Sequence, residues 1–358
     1  MRWLPIVMLA LVDGKSRCPR GSAWPARLRS ANGTCATFLA GAPQQQGLGH
    51  AFMSFNRLVH VAGRLGLTLA ARFASRGHGM NATKVDAYFF GAYFDAAGPP
   101  AGCEKVPAAA SEAALAASVD AFRAGACAAA PACAVFRLKT APPFHKRLNV
   151  DGYRAAFEGR AAERAALAPR AAPRGDAFTV AVHIRRGDHL KYGRRNVDFV
   201  AQRYVPNVAF VDLLGRVAAT LKTGDIAARA RVVVLAEGAR PGGLVPDIDG
   251  DRTDFRAALP GVDVDVGPRE AVDAFDALCA ADLVVTSKSG FSHLAATLCA
   301  RPAVLAVPFW LDYACLPRAL ELAETAAVFD DNPSGAPVNL TARFDYDEAA
   351  LLALLRPP

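Results

Sequence analysis

Short apolar runs alternate with helical stretches between residues 178 and 307, and this rhythm constrains the fold more than any other feature of the chain. Phe178 to Ile184 predicts an apolar strand, Val208 to Leu221 an amphipathic helix and Arg231 to Ala236 a buried strand. Val262 to Val266 predicts a strand, Ala271 to Ala280 a helix and Asp282 to Thr286 a strand, followed by a helix over Ser292 to Cys299 and a strand over Ala303 to Val307. Strands that alternate with helices form a parallel sheet covered on both faces. A shorter version opens the chain. Thr34 to Ala40 is a strand candidate that runs into the glycine-rich stretch 41–50. Phe52, Phe55, Leu58, Val59, Ala62 and Leu65 then fall at helical spacing, and Leu67 to Ala70 is the next strand. That is a βαβ unit with an expected right-handed crossover. Together the halves predict an α/β protein with two Rossmann-like domains.

The length of 358 residues fits two domains, on a prior of roughly 150 residues each. The expected division is a leader or stem over 1–34, a first domain over 35–168 and a second over 177–358. Pro169 to Asp176, with two prolines and a glycine, is the linker. Residues 96–145 are Ala/Pro/Cys-rich and hold at least one Ala-rich helix, and 151–168 read as helical and polar. Hydrophobic residues at 53% and charged residues at 21% exclude a disordered chain. Trp3 to Val12 is the only long apolar opening. It is about half of the ~20 residues a membrane span needs, which excludes a polytopic membrane protein. The net charge of +8 suits an anionic partner. The basic residues are scattered and no nucleic-acid reader motif is present, so nucleic acid is not the expected partner.

Met1-Arg2 followed by an apolar stretch has the shape of a short signal peptide; a buried first strand or helix is the other reading. Any membrane association is expected only through this leader. The eight cysteines are an even number, compatible with disulfides. Cys127 and Cys133 are close enough in sequence to pair locally, whereas Cys279 and Cys299 sit in apolar runs and read as buried thiols. Asn32, Asn81 and Asn339 each begin a glycosylation sequon. Together these features favour the secretory pathway over the cytoplasm.

Three segments carry chemistry. Val182-His183-Ile184-Arg185-Arg186-Gly187-Asp188 ends a strand in two arginines, a glycine and an acid. Ligands of open α/β sheets bind at the carboxyl ends of strands, where guanidinium groups match a diphosphate bidentately. An Arg–Asp pair closing a strand is the alternative. Thr286-Ser287-Lys288-Ser289-Gly290-Phe291-Ser292-His293 follows a buried strand and opens a helix. Hydroxyls and backbone N–H groups there form an anion site, with Lys288 adding positive charge; a plain serine N-cap is the alternative. Gln46-Gly47-Leu48-Gly49-His50 is a third turn into a helix, without the last glycine of the dinucleotide fingerprint.

In this order the three segments resemble the fucosyltransferases that use GDP-fucose, the superfamily of α1,2-, α1,6- and protein O-fucosyltransferases. The likeness covers roughly 35–70 and 178–312, and the H-x-R-R-G-D form is most similar to the α1,2 branch. The resemblance implies a GT-B-like architecture of two Rossmann-like domains facing across a cleft. It also implies a metal-independent enzyme without a cofactor, which transfers fucose from GDP-fucose to a hydroxyl of a glycan or glycoprotein acceptor with inversion. A Golgi-lumen location goes with it. By the same resemblance Arg185 contacts the β-phosphate of GDP, and His183 and Arg186 orient the donor. Ser287, Ser289, Phe291 and Ser292 line the diphosphate and nucleoside, Glu237 ends the next strand beside the donor, and Gly47, Gly49 and His50 close over it. His50 stands where the family usually has Asn, Gly290 where it often has Thr or Ser, and Ala236-Glu237-Gly238 where it has Ser-Asp-Asp.

Asp188 and His189 are nearest the motif as general base for the acceptor hydroxyl, with Glu237 third. A protein O-fucosyltransferase differs only in acceptor, and a non-catalytic nucleotide or glycan binder of the same fold is a further alternative. Asp247-Ile248-Asp249-Gly250-Asp251 and Asp263-Val264-Asp265 resemble the D-x-D of metal-using glycosyltransferases. The first reads as a solvated turn. The second puts two carboxylates on one exposed strand face.

Overall fold

The computed structural model describes residues 35–41, 48–70, 82–89, 99, 101–139, 150–167, 177–187, 203–226, 230–239, 243–247, 250–267, 270–309, 316, 318–328 and 341–356. The expected leader, the 169–176 linker, the asparagines of the three sequons and Gly47, Asp188 and His189 lie outside these residues, as does the side chain of His50.

The first half builds a four-stranded parallel sheet. Its strands are β1 (Cys35–Ala40), β2 (Thr68–Leu69), β3 (Glu104–Lys105) and β4 (Ala132–Arg137), in the order β2-β1-β4-β3. Its helices are α1 (Leu48–Leu65), α2 (Ala82–Phe89), α3 (Glu112–Ala124) and α4 (Ala126–Ala129). Ser111 caps α3 by accepting from the Ala114 N–H. Helices α5 (Val150–Glu158) and α6 (Ala161–Leu167) follow, interrupted around Gly159.

The second half is a six-stranded, wholly parallel sheet. It contains β5 (Phe178–Ile184), β6 (Ala230–Ala236), β9 (Asp263–Gly267), β10 (Leu283–Val285), β11 (Ala303–Ala306) and β12 (Ala319–Glu321). The order is β12-β11-β10-β5-β6-β9. Helix α7 (Asn207–Thr223) links β5 to β6, α9 (Ala271–Ala280) links β9 to β10, and α10 (Gly290–Leu298) links β10 to β11. Two antiparallel pairs, β7 (Leu244–Pro246) with β8 (Arg252–Asp254) and β13 (Ala323–Val328) with β14 (Thr341–Asp345), decorate the sheet. Helices α8 (Phe255–Ala258) and α11 (Glu348–Leu355) complete the elements.

Strand alternation sends each face of the large sheet into its own core. Val180, Val182, Ile184, Val232, Val234, Leu283 and Val285 join α7 residues such as Phe210 and Leu214 on one side. Ala181, Val233, Leu235 and Val284 face α9 and α10 on the other, and that core runs on without a break into α1, α2 and the four-stranded sheet. An aromatic cluster fills the seam. Phe89, Phe157 and Phe275 pack within 4.6–6.0 Å of one another. Tyr88 donates to Asp276 Oδ1 across it at 3.2 Å.

Two expectations about cysteine are corrected. Cys127 pairs with Cys35 rather than with Cys133, and Cys133 pairs with Cys103. The register explains the second bridge: Glu104 lies opposite Ala134, so the preceding residues Cys103 and Cys133 are brought face to face. Cys279 and Cys299 are bonded to each other, because the end of α9 and the end of α10 meet. The strand β4 is absent from the sequence reading, although it pairs with β1 over its whole length.

Candidate functional site

From β5 the chain moves outward through β6 to β9, then returns to the other side of β5 as β10. The topological switch point therefore lies between β5 and β10, and ligands of such sheets bind in the crevice outside the carboxyl ends there. Both chemistry-bearing segments of the second half end on it. His183 to Gly187 leaves β5, and Thr286 to Ser292 leaves β10 and enters α10.

A buried hydrogen bond joins the two strand ends, between His183 Nδ1 and Ser287 Oγ at 2.9 Å. Phe291 lies on the imidazole, with centroids 5.0 Å apart. Burial, and next the charges of Arg185 and Arg186, lower the His183 pKa from 6.5 to about 3. The ring is therefore neutral throughout the physiological range.

The serine run is a knitted turn. Ser289 caps α10 by accepting from the Phe291 N–H at 3.2 Å, so the N-cap reading holds for that residue. Ser292 Oγ accepts from the Ser287 N–H at 3.1 Å and donates back to the Ser289 carbonyl at 3.2 Å. Thr286 Oγ1 accepts from the Val307 N–H, tying the turn to the end of β11. Lys288 is buried and bonded to Glu324 Oε1 at 2.8 Å. The positive charge expected at this turn is thus balanced from β13.

The two arginines part company. Arg186 is fully buried on the α7 side. Its guanidinium donates through Nε to the Pro246 carbonyl at 2.8 Å, through Nη1 to the Arg185 carbonyl at 2.8 Å and through Nη2 to Asn207 Oδ1. It also lies over the Tyr204 ring at 4.8 Å. Asn207 opens α7. Its Nδ2 donates to the Val245 carbonyl at 2.9 Å and its backbone N–H to Asp247 Oδ2 at 2.8 Å. Arg185 is half-buried at the strand end beside His183. Nothing in the sequence marked Asn207 or Asp247 as partners of this motif; a single Asn at a helix start carries no signal by itself.

Two glycines have a neighbour within the space a Cβ would take. A Cβ on Gly187 would stand 1.8 Å from Glu237 Oε2, so the carboxylate at the end of β6 lies directly over the Gly187 backbone. A Cβ on Gly49 would stand 2.2 Å from the Gly290 carbonyl carbon. The first turn of α1 therefore meets the first turn of α10, and the glycine-rich and serine-rich segments, far apart in the chain, are neighbours.

Asp263 and Asp265 flank Arg231 of β6, with Asp265 bonded to it at 2.9 Å. Asp247 and Asp251 close the β7–β8 turn through a 2.8 Å backbone bond.

No protein-family model matches the chain, and no curated protein does. Among solved structures, POFUT1 in complex with GDP-fucose is similar at 13% identity and a TM-score of 0.45, over 76% of this chain and 97% of that one. POFUT1 in complex with GDP is similar at 13% identity and a TM-score of 0.42, over 76% and 97%. NodZ alpha-1,6-fucosyltransferase soaked with GDP-fucose is similar at 12% identity and a TM-score of 0.34, over 86% and 99%. The class defined by the chain's own fold and site is an α/β protein of parallel sheets with a hydrogen-bonded polar cluster at its switch point.

Proposed function

We propose that this protein is a glycosyltransferase that moves fucose from GDP-fucose to a hydroxyl of a glycan acceptor, with inversion and without a metal, in the manner of the α1,2-fucosyltransferases. The observation that carries the reading is the His183–Ser287 hydrogen bond. It joins the H-x-R-R-G segment to the serine segment at the one place where a doubly wound sheet binds ligands.

In the reaction the bond between the fucose anomeric carbon and the β-phosphate oxygen breaks, and a bond to the acceptor oxygen forms. GDP leaves with the electron pair. Negative charge grows on the diphosphate, and in this reading the Arg185 guanidinium and the N-terminal end of α10 supply the balancing positive charge. The Ser287 hydroxyl holds the neutral His183 ring through Nδ1 and so orients its Nε2 edge for the donor in this reading. The acceptor proton passes to a carboxylate or imidazole, for which Glu237 after β6 and, from the sequence, Asp188 and His189 are the candidates. Three disulfides among the described residues support an oxidising compartment such as the lumen of the secretory pathway. No helix among the described residues is long and apolar enough to cross a membrane.

The test is transfer of labelled fucose from GDP-fucose to a panel containing a galactose-terminated oligosaccharide, a chitobiose-core glycopeptide and a folded Ser/Thr-bearing peptide. Labelled product on the galactose oligosaccharide is expected, in the presence of EDTA as well. Product on the folded peptide alone would replace the acceptor assignment. No product and no GDP release with any acceptor would overturn the enzyme reading.

A further inference from the structure

The second arginine of the motif presents a puzzle of position. A guanidinium at a ligand-binding strand end is expected to meet the ligand, yet Arg186 is fully buried and its three nitrogens bond protein oxygens. Those oxygens come from three separate parts of the chain: the strand end itself at Arg185, the start of α7 at Asn207, and β7 at Pro246. Asn207 extends the network to the Val245 carbonyl and to Asp247 at the β7–β8 turn.

We propose that Arg186, with Asn207 and Asp247, is a positioning network that fixes the Arg185 peptide for the diphosphate and seats the β7–β8 hairpin against the end of β5. This rests on the fucosyltransferase reading for the role of Arg185. The physical reason is the planar fork. One guanidinium satisfies three acceptors at fixed angles, which the single ammonium of lysine cannot do. Because the Arg185 carbonyl is one of the three, the turn that carries Arg185 and Gly187 cannot rotate without breaking a buried bond. Buried polar groups left unpaired are costly, so the arrangement resists partial loosening. Asp247, which the sequence places in a solvated turn, accepts from the Asn207 N–H in this network.

A double-mutant cycle separates positioning from contact. GDP is titrated calorimetrically into the wild type, Arg185→Ala, Arg186→Lys and the double variant, and GDP-fucose turnover is measured alongside. Arg186→Lys keeps the charge and loses the fork. The expected results are a roughly tenfold weaker GDP affinity and a lower kcat in the Arg185 background, with less than a twofold effect once Arg185 is Ala. An equal loss in both backgrounds, or no loss in either, would overturn the proposal. Should the wild type bind no GDP, the nucleotide reading falls by itself. The positioning claim is then decided by amide exchange, which is expected to speed up in Arg186→Lys at 185–187 and 243–247 while β10 and β11 stay protected. Unchanged exchange at those segments, or uniform acceleration across the sheet, would overturn it. Asn207→Ala is the second variant should Arg186→Lys fail to fold, with the same expected pattern.

Discussion

Gly49 and Gly290 meet backbone to backbone: a Cβ on Gly49 would stand 2.2 Å from the Gly290 carbonyl carbon and 2.4 Å from its Cα. Neither is in a left-handed conformation, so the requirement is one of space alone. Gly49→Ala is expected to force α1 away from α10, with an overpacking penalty of about 1–3 kcal/mol and loss of nucleotide binding. Gly215 is the control. It lies inside α7 with no atom nearer than 3.9 Å to an added Cβ, and Gly215→Ala should stabilise by about 0.4–1 kcal/mol. Urea unfolding of both variants checks the signs.

The Gly187–Glu237 approach differs because the obstructing atom ends a flexible, exposed side chain. Gly187→Ala is expected to displace the carboxylate while leaving stability within about 0.5 kcal/mol, as surface changes usually do. Activity should drop in Gly187→Ala, and Glu237→Ala should then add little to the loss. Full activity in Gly187→Ala would remove Glu237 from the site.

The disulfides divide by loop length. Cys35–Cys127 spans 92 positions and Cys279–Cys299 spans 20. In the chain-entropy model these loops are worth about 4–5 and about 3 kcal/mol respectively. Paired Cys→Ala variants under non-reducing conditions should therefore lose more for the first bridge. The second encloses β10 and the serine turn, so its removal is expected to weaken GDP binding even where the protein remains folded.

The depressed pKa of His183 gives a signed pH dependence. Its folded value is about 3, against an ordinary 6.5, so between these values the unfolded chain binds the extra proton. The contribution is complete above pH 6.5 and is lost as pH falls toward 3, by up to about 1.4 kcal/mol per unit. The stability difference between wild type and His183→Asn should be flat above pH 6.5 and shrink or reverse below it. A difference that instead changes between pH 7 and 9 would contradict the neutral, buried imidazole.

The second half was legible because its strands are continuous Val/Leu runs, the signature of strands buried on both faces. Phe178–Ile184, Ala230–Ala236 and Ala303–Ala306 all fall where the pattern predicts them. In the first half β4 escaped because Ala132–Arg137 is bounded by Pro131 and contains only Val135 and Phe136 as large apolar residues. Alanine and cysteine carry little strand signal, so tertiary pairing with β1 decides there. The strand-end motif was visible as charge at the close of an apolar run. Its internal division was not, since whether an arginine faces ligand or core depends on Asn207 and Pro246, distant residues that only the fold brings to it. The same holds for Lys288, whose partner Glu324 lies 36 residues on.

The central claim is that the crevice between β5 and β10 holds a guanosine diphosphate through Arg185. The most direct measurement is the melting temperature of the purified protein with GDP, GDP-fucose and UDP, repeated with Arg185→Ala. A ligand bound only by the folded state stabilises by about 2.7 kcal/mol at a hundredfold excess over Kd. The account predicts a rise with both guanosine ligands, little with UDP, and no rise in the variant. Equal melting temperatures with and without every nucleotide would contradict it.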